Sequence, residues 1–189
     1  MTRRAVSLAS SHPVISSLPA AAMEARLGAF AELIKACVDA GASVNFIMPF
    51  SVEEASTYWR GKILPGVAAG KRIMLAADVE GRLAGTVNLD LDTPPNQTHR
   101  ADVSKLLVHP AFRRRGIARM LMEALEDHAR QAGRTLLTLD TRTGDAAEPL
   151  YTSMGYVTVG VIPDYCRDAD GKGLSGTTIM YKRLAPPSS

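Results

Sequence analysis

Two stretches hold residues whose types and spacing suit chemistry. In the first, Val103-Ser104-Lys105-Leu106-Leu107-Val108-His109-Pro110-Ala111-Phe112 runs into Arg113-Arg114-Arg115-Gly116-Ile117-Ala118. An apolar strand ends, a basic turn follows, and a helix begins at a Gly. A helix N-terminus leaves several backbone N–H groups unpaired and carries a partial positive charge. Gly removes the Cβ that blocks close approach, and Arg adds charge-assisted hydrogen bonds. The pattern fits a phosphate pair; on its own it also fits a surface arginine cluster ahead of a helix. The second stretch is Ala147-Glu148-Pro149-Leu150-Tyr151-Thr152-Ser153-Met154-Gly155-Tyr156, preceded by the compact run Thr135-Leu136-Leu137-Thr138-Leu139-Asp140.

Other patterns carry less. Gly171-Lys172-Gly173-Leu174-Ser175-Gly176 fits G-x-G-x-x-G literally, but it sits in a polar loop before a strand, whereas a dinucleotide fingerprint follows a strand and opens a helix. Gly66-Val67-Ala68-Ala69-Gly70-Lys71 has the wrong spacing for a P-loop and lacks the following Ser or Thr. Asn96-Gln97-Thr98 is a glycosylation sequon that matters only in a secreted protein. The two cysteines, Cys37 and Cys166, lack metal-ligand spacing. They fit a reducing compartment, so the expected location is cytoplasmic and no metal site is expected.

The elements that position these residues follow from periodicity and punctuation. His12–Leu18 suits a short strand. From Pro19, Met23, Leu27, Phe30, Ile34 and Cys37 recur at helical steps, and Gly41 is placed to stop that helix. Ser51-Val52-Glu53-Glu54 is a capping box opening a second helix with Tyr58 and Trp59. Arg72–Val79 and Arg82–Asp92 flank the turn pair Glu80-Gly81 and predict a hairpin. Arg100–Val108 is the next strand, ended by His109-Pro110. Gly116–Gln131 is amphipathic, with Ile117, Leu121, Leu125 and His128 inward and Glu123, Glu126, Arg130 and Gln131 outward. Thr135–Asp140, Tyr156–Val161 and Thr177–Leu184 read as strands, and Ala146–Met154 as a short helix. This order predicts one α/β domain over 12–184, between a flexible tail at 1–11 and a frayed end at 185–189. Its core is a mixed sheet of about seven strands flanked by about four helices.

Composition bounds the function. Net charge is +3 and aromatics are 5%, so the basic footprint is local, without the stacking residues of a nucleic-acid binder. No apolar stretch reaches the length of a membrane span. The expected partners are a small molecule and a second copy in a homodimer, with neither nucleic acid nor membrane.

With both stretches in order, the chain resembles the GNAT superfamily of N-acetyltransferases. Arg113-Arg114-Arg115-Gly116-Ile117-Ala118 matches its [Gln/Arg]-x-x-Gly-x-[Gly/Ala] signature, and the Ala147–Tyr156 segment looks like its downstream A-x-x-L-Y-x-x-x-G-[F/Y] block. The resemblance implies the GNAT fold and acetyl-CoA as cofactor. It implies that Arg113, Arg114, Arg115, Gly116, Ile117 and Ala118 hold the pyrophosphate. It further implies that Leu106, Leu107 and Val108 bind the pantetheine arm and polarise the thioester carbonyl, with Ala147 and Leu150 beside it. Tyr151 would be the acid that protonates the departing thiolate, a role open to a phenol near the sulfur; the bland alternative is a packed Tyr. The Asn common in the family ahead of this Tyr is replaced by Gly144.

An acceptor amine must lose a proton before it attacks. Asp140 ends the strand that leads to the Tyr151 helix and is the candidate general base or amine anchor, or else a cap of the next turn. His109, Glu80 and Asp90 are weaker candidates, His109 being read as an exposed loop residue. Gly41-Ala42-Ser43-Val44, Arg100–Leu106, Leu136–Thr141 and Val159-Gly160-Val161-Ile162-Pro163-Asp164-Tyr165-Cys166 resemble the tabtoxin-resistance acetyltransferases. That similarity implies a small amino-acid-like or antibiotic- or toxin-like amine as acceptor. A protein or peptide N-acetyltransferase and a silent acyl-CoA-binding module are the alternatives. Acceptor choice is expected in the loops Ala42–Phe50, Thr93–His99 and Asp164–Ser175.

Overall fold

The computed structural model describes residues 12–185. The expected tail at 1–11 and all but the first residue of the expected frayed end lie outside the described residues. The chain begins with strand β1 (Val14–Ser17) and helices α1 (Ala20–Glu24) and α2 (Leu27–Asp39). The single helix expected from Pro19 is thus two. Arg26 leaves the helical region, at φ −114° and ψ 12°, and its guanidinium pairs with the Asp78 carboxylate. Gly41, at φ +82°, closes α2: its N–H donates to Val38 O at 2.8 Å and that of Ala42 to Cys37 O at 3.0 Å. This is the double bond pattern of a left-handed cap.

Helix α3 (Val52–Tyr58) starts at the expected capping box, with Glu54 N–H donating to Ser51 Oγ and Ser51 N–H to the Glu54 carboxylate. A π-turn, Trp59–Ile63, joins it to α4 (Leu64–Ala68). Pro65 supplies no N–H and its ring crowds the preceding turn, so the helical ladder widens there. Trp59 is fully buried and donates to Phe30 O at 2.9 Å. The four helical units read from the sequence are present, the first two subdivided.

The remaining elements are β2 (Arg72–Val79), β3 (Arg82–Asp90), β4 (Arg100–Val108), α5 (Ile117–Gln131), β5 (Leu136–Arg142), α6 (Ala147–Ser153), β6 (Val157–Arg167) and β7 (Leu174–Arg183). Seven strands form one sheet in the order β1-β2-β3-β4-β5-β7-β6. Among the described residues, only β4 and β5 pair in parallel. Helix α5 packs Ile117, Leu121 and Leu125 on one face of the sheet, among Leu75, Val87 and Leu89. Helices α1 to α4 cover the other face with Met23, Phe30, Ile34 and Trp59 over Met74 and Ala76. Gly85 lets α5 press close: a Cβ there would lie 2.8 Å from Leu107 O and 3.2 Å from Ile117 Cγ2.

Further expectations need correction. Glu126 was expected on the outer face of α5 but is 5% exposed, because Lys182 of β7 reaches both its oxygens at 2.7 Å. Strand β6 runs past Val161 and through Pro163 to Arg167, and β7 starts at Leu174. The expected loop Asp164–Ser175 therefore shrinks to the turn 168–173. No helix among the described residues is long and apolar enough to cross a membrane.

Candidate active site

The site begins where two parallel strands part. β4 and β5 pair only from Arg100–Asp102 to Leu136–Thr138; beyond that, β4 continues to Val108 and β5 to Arg142 without pairing. Backbone polar groups need partners when covered, so these splayed edges offer hydrogen bonds to a ligand laid between them. The N–H of His109 donates to Ala84 O at 2.9 Å on the β3 side. Because strand N–H groups alternate in direction, Val108 turns its own toward the splay. Its carbonyl accepts from Cys37 Sγ at 3.5 Å and Arg113 Nε at 3.4 Å.

A cleft of about 900 Å³ fills the splay. One end is built by the basic turn. Arg114 (φ +61°) and Gly116 (φ +77°) are left-handed, which coils the chain so that α5 points its N-terminus inward. The first helical bond is Met120 N–H to Gly116 O at 3.1 Å, so the amides of Ile117, Ala118 and Arg119 precede the ladder. A Cβ at Gly116 would meet nothing in the protein, so the space in front of it is open to a ligand. Arg119 donates to Ser153 Oγ at 2.7 Å and ties α5 to the end of α6.

The cleft brings together Leu106, Leu107, Val108, Arg113, Arg114, Gly116, Ile117, Ala118, Asp140, Ala147, Leu150 and Tyr151. Arg115 is not among the lining residues; its guanidinium lies 5.7 Å from the Phe112 ring centroid. His109, Glu80 and Asp90 also stay out of the lining. His109 is half-buried rather than exposed and accepts the Ala111 N–H at 3.2 Å, capping a short 3-10 turn. Asp90 pairs with Arg72, and Glu80 occupies the hairpin turn at φ +52°. Gly144 adopts φ +77° and donates to Glu148 Oε2 at 2.8 Å, so the turn before α6 uses a left-handed residue.

Tyr151 is 6% exposed yet lines the cleft. Burial, then the negative charges of Asp140 and Asp145, push its phenol far above the ordinary tyrosine range. It is held protonated, the form in which a phenol can donate. Asp140 is exposed in the cleft and its Oδ2 accepts from Thr177 Oγ1 at 3.1 Å. Cys37 is buried and its thiol is raised to about 11 by burial, with Arg113 opposing. It is therefore an uncharged wall residue. Both cysteines, distant in sequence, line this one cleft, Cys166 with its sulfur 3.4 Å from Ser43 Oγ.

Sequence reasoning gave no role to Lys105 or Arg142, both of which line the cleft. Of the expected acceptor loops, 42–45 lines the cleft and Thr93–His99 does not. Tyr165 and Cys166 do so from a strand rather than a loop.

The model of the acetyltransferase (GNAT) family matches residues 30–156, which include the basic turn Arg113–Ala118 and Tyr151. The chain belongs to that family. An uncharacterised N-acetyltransferase from the hisH-hisA intergenic region of Azospirillum brasilense is 31% identical over 114 residues, 59% of this chain and 66% of that protein. The match therefore spans just under two thirds of that relative. Among solved structures, yncA of Salmonella typhimurium, determined with its cofactor acetyl-CoA, superposes with a TM-score of 0.71 at 18% identity, covering 94% of this chain and 96% of that one. The ribosomal-protein-alanine N-acetyltransferase of Brucella melitensis gives 0.72 at 22% identity, covering 90% and 99%. At these identities the likeness is one of fold.

Proposed function

We propose that the protein transfers the acetyl group of acetyl-CoA directly to a primary amine of a small molecule. The observation that carries this reading is the placement of Asp140 and Tyr151 in the same cleft whose far end is the Arg113–Ala118 turn. The residues fit the cofactor: free first-turn amides and arginines suit a pyrophosphate, and splayed strand edges suit an amide-bearing arm. Acetyl-CoA, when bound, supplies an activated thioester. The chain's residues do the rest. Val108 directs a main-chain N–H into the splay, where a developing oxyanion is stabilised. Asp140 anchors the acceptor ammonium or takes its proton, directly or through water. Tyr151, kept neutral, gives its proton to the leaving sulfur.

Support for a small acceptor comes from the resemblance to the tabtoxin-resistance enzymes, which also makes resistance to a toxin or antibiotic part of this reading. The two free thiols support a reducing, cytoplasmic setting. The Brucella melitensis structure, by its name, acts on a ribosomal protein, and favours peptide acetylation as the second reading. Free-thiol release from acetyl-CoA with free amino compounds, against short peptides, separates the two. Release with peptides alone would replace the first reading by the second.

A further inference from the structure

The acceptor end of the cleft holds a cation and an anion set apart. Lys105 lies on β4 at φ +54°, beside a register shift where β3 skips from Thr86 to Asn88 against Leu107 and Ser104. A left-handed residue inside a strand is strained and bends it, redirecting the side chain. Here the strain puts a lysine into the cleft lining. Its ammonium makes no hydrogen bond or ion pair with any described residue. It lies over the Tyr58 ring, with the nitrogen 5.6 Å from the centroid. Asp140, whose charge it feels, accepts from Thr177 instead.

Arg142, the other cation at this end among the described residues, is already engaged: its guanidinium lies 3.6 Å from Asp145 and 3.7 Å from Asp168 and donates to Gly41 O at 3.3 Å. Arg72 behind the cleft is paired with Asp90. Lys105 is therefore a largely desolvated charge with three donors to spare, facing a carboxylate with its own spare acceptor capacity. A cation in such surroundings needs a counter-charge. A polycationic acceptor would bring a second ammonium against it.

Building on the acetyltransferase reading, we infer that the acceptor is amino-acid-like: Lys105 binds its carboxylate while Asp140 receives its amine. Burial holds the Lys105 pKa below the ordinary lysine range, which makes an anionic partner the more favourable.

The test compares α-amino acids with their α-amides in free-thiol release from acetyl-CoA. The wild type should prefer the acid about 10- to 100-fold in kcat/KM, mainly through KM. Lys105→Met should abolish that preference and leave the KM for acetyl-CoA unchanged. Equal use of acid and amide by the wild type, or an undiminished preference in Lys105→Met, would overturn the inference. If neither amino compounds nor peptides release thiol, the acetyltransferase reading fails by itself. Calorimetry of acid against amide on CoA-saturated wild-type protein then decides the anion site: preferred binding of the acid supports it, and equal or no binding overturns it.

Discussion

Asp140 and Tyr151 reach one cleft from different layers, Asp140 from strand β5 and Tyr151 from helix α6, and the Asp140 charge helps keep the Tyr151 phenol protonated. The pairing couples the two ends of the proposed proton traffic. One residue is suited to hold or deprotonate the incoming amine, and the other to protonate the departing sulfur.

Tyr151→Phe keeps the ring and removes the proton. Turnover should fall about 10²- to 10⁴-fold while acetyl-CoA binding changes little. Steady-state kinetics with calorimetric binding of CoA checks this, and unaltered turnover would remove Tyr151 from the mechanism.

Gly116→Val places a β-branched residue at φ +77° and a side chain in the space before the first-turn amides. CoA binding should weaken by at least about tenfold, with a stability loss of about 1 to 2 kcal/mol from backbone strain. Titration of CoA against both proteins reads the first effect, and chemical denaturation the second. Intact CoA affinity would place the pyrophosphate elsewhere.

The buried Glu126–Lys182 pair makes a stability prediction independent of function. Lys182→Met leaves Glu126, 5% exposed, with only Arg130 at 3.4 Å, and should cost about 3 kcal/mol. Adding Glu126→Leu should recover most of it. A double variant no more stable than the single one would contradict this reading.

Alkaline pH should destabilise the fold. Cys37 rises from 9.0 to about 11 and Tyr58 from 10.0 to about 12, both chiefly by burial. A raised native pKa means that the unfolded chain releases its proton first. The contribution is therefore complete below the unfolded value and is lost as pH climbs through the native one. Between pH 9.0 and about 11 the Cys37 thiol alone should remove roughly 2 kcal/mol. Denaturation midpoints across that window should fall, less steeply in Cys37→Ala; a flat profile would refute the assignment.

Local signals made much of the fold legible. The capping box at Ser51 and Glu54, the turn pair Glu80-Gly81, and Gly41 and Gly133 closing α2 and α5 each act over a few residues. Features that depend on distant partners were not legible. The helix break at Arg26 accompanies its pairing with Asp78, and Glu126 is buried through Lys182. The strand read over Tyr156–Val161 continues through Pro163, because β6 is the last strand of the sheet and an edge tolerates a missing donor. In the site, the basic turn and the Tyr151 segment were readable as contiguous motifs. Lys105 was not, because its place in the cleft comes from a bulge and a left-handed φ that no residue type announces.

Free-thiol release from acetyl-CoA over a panel of amino acids, amino-acid-like antibiotics, polyamines, aminoglycosides and short peptides decides whether the protein is a transferase acting on a small amine. Stoichiometric release with one small amino-acid-like amine and formation of its N-acetyl product is the expected result. Tight CoA binding with no release from any amine would contradict it and identify the protein as an acyl-CoA-binding module without transferase activity.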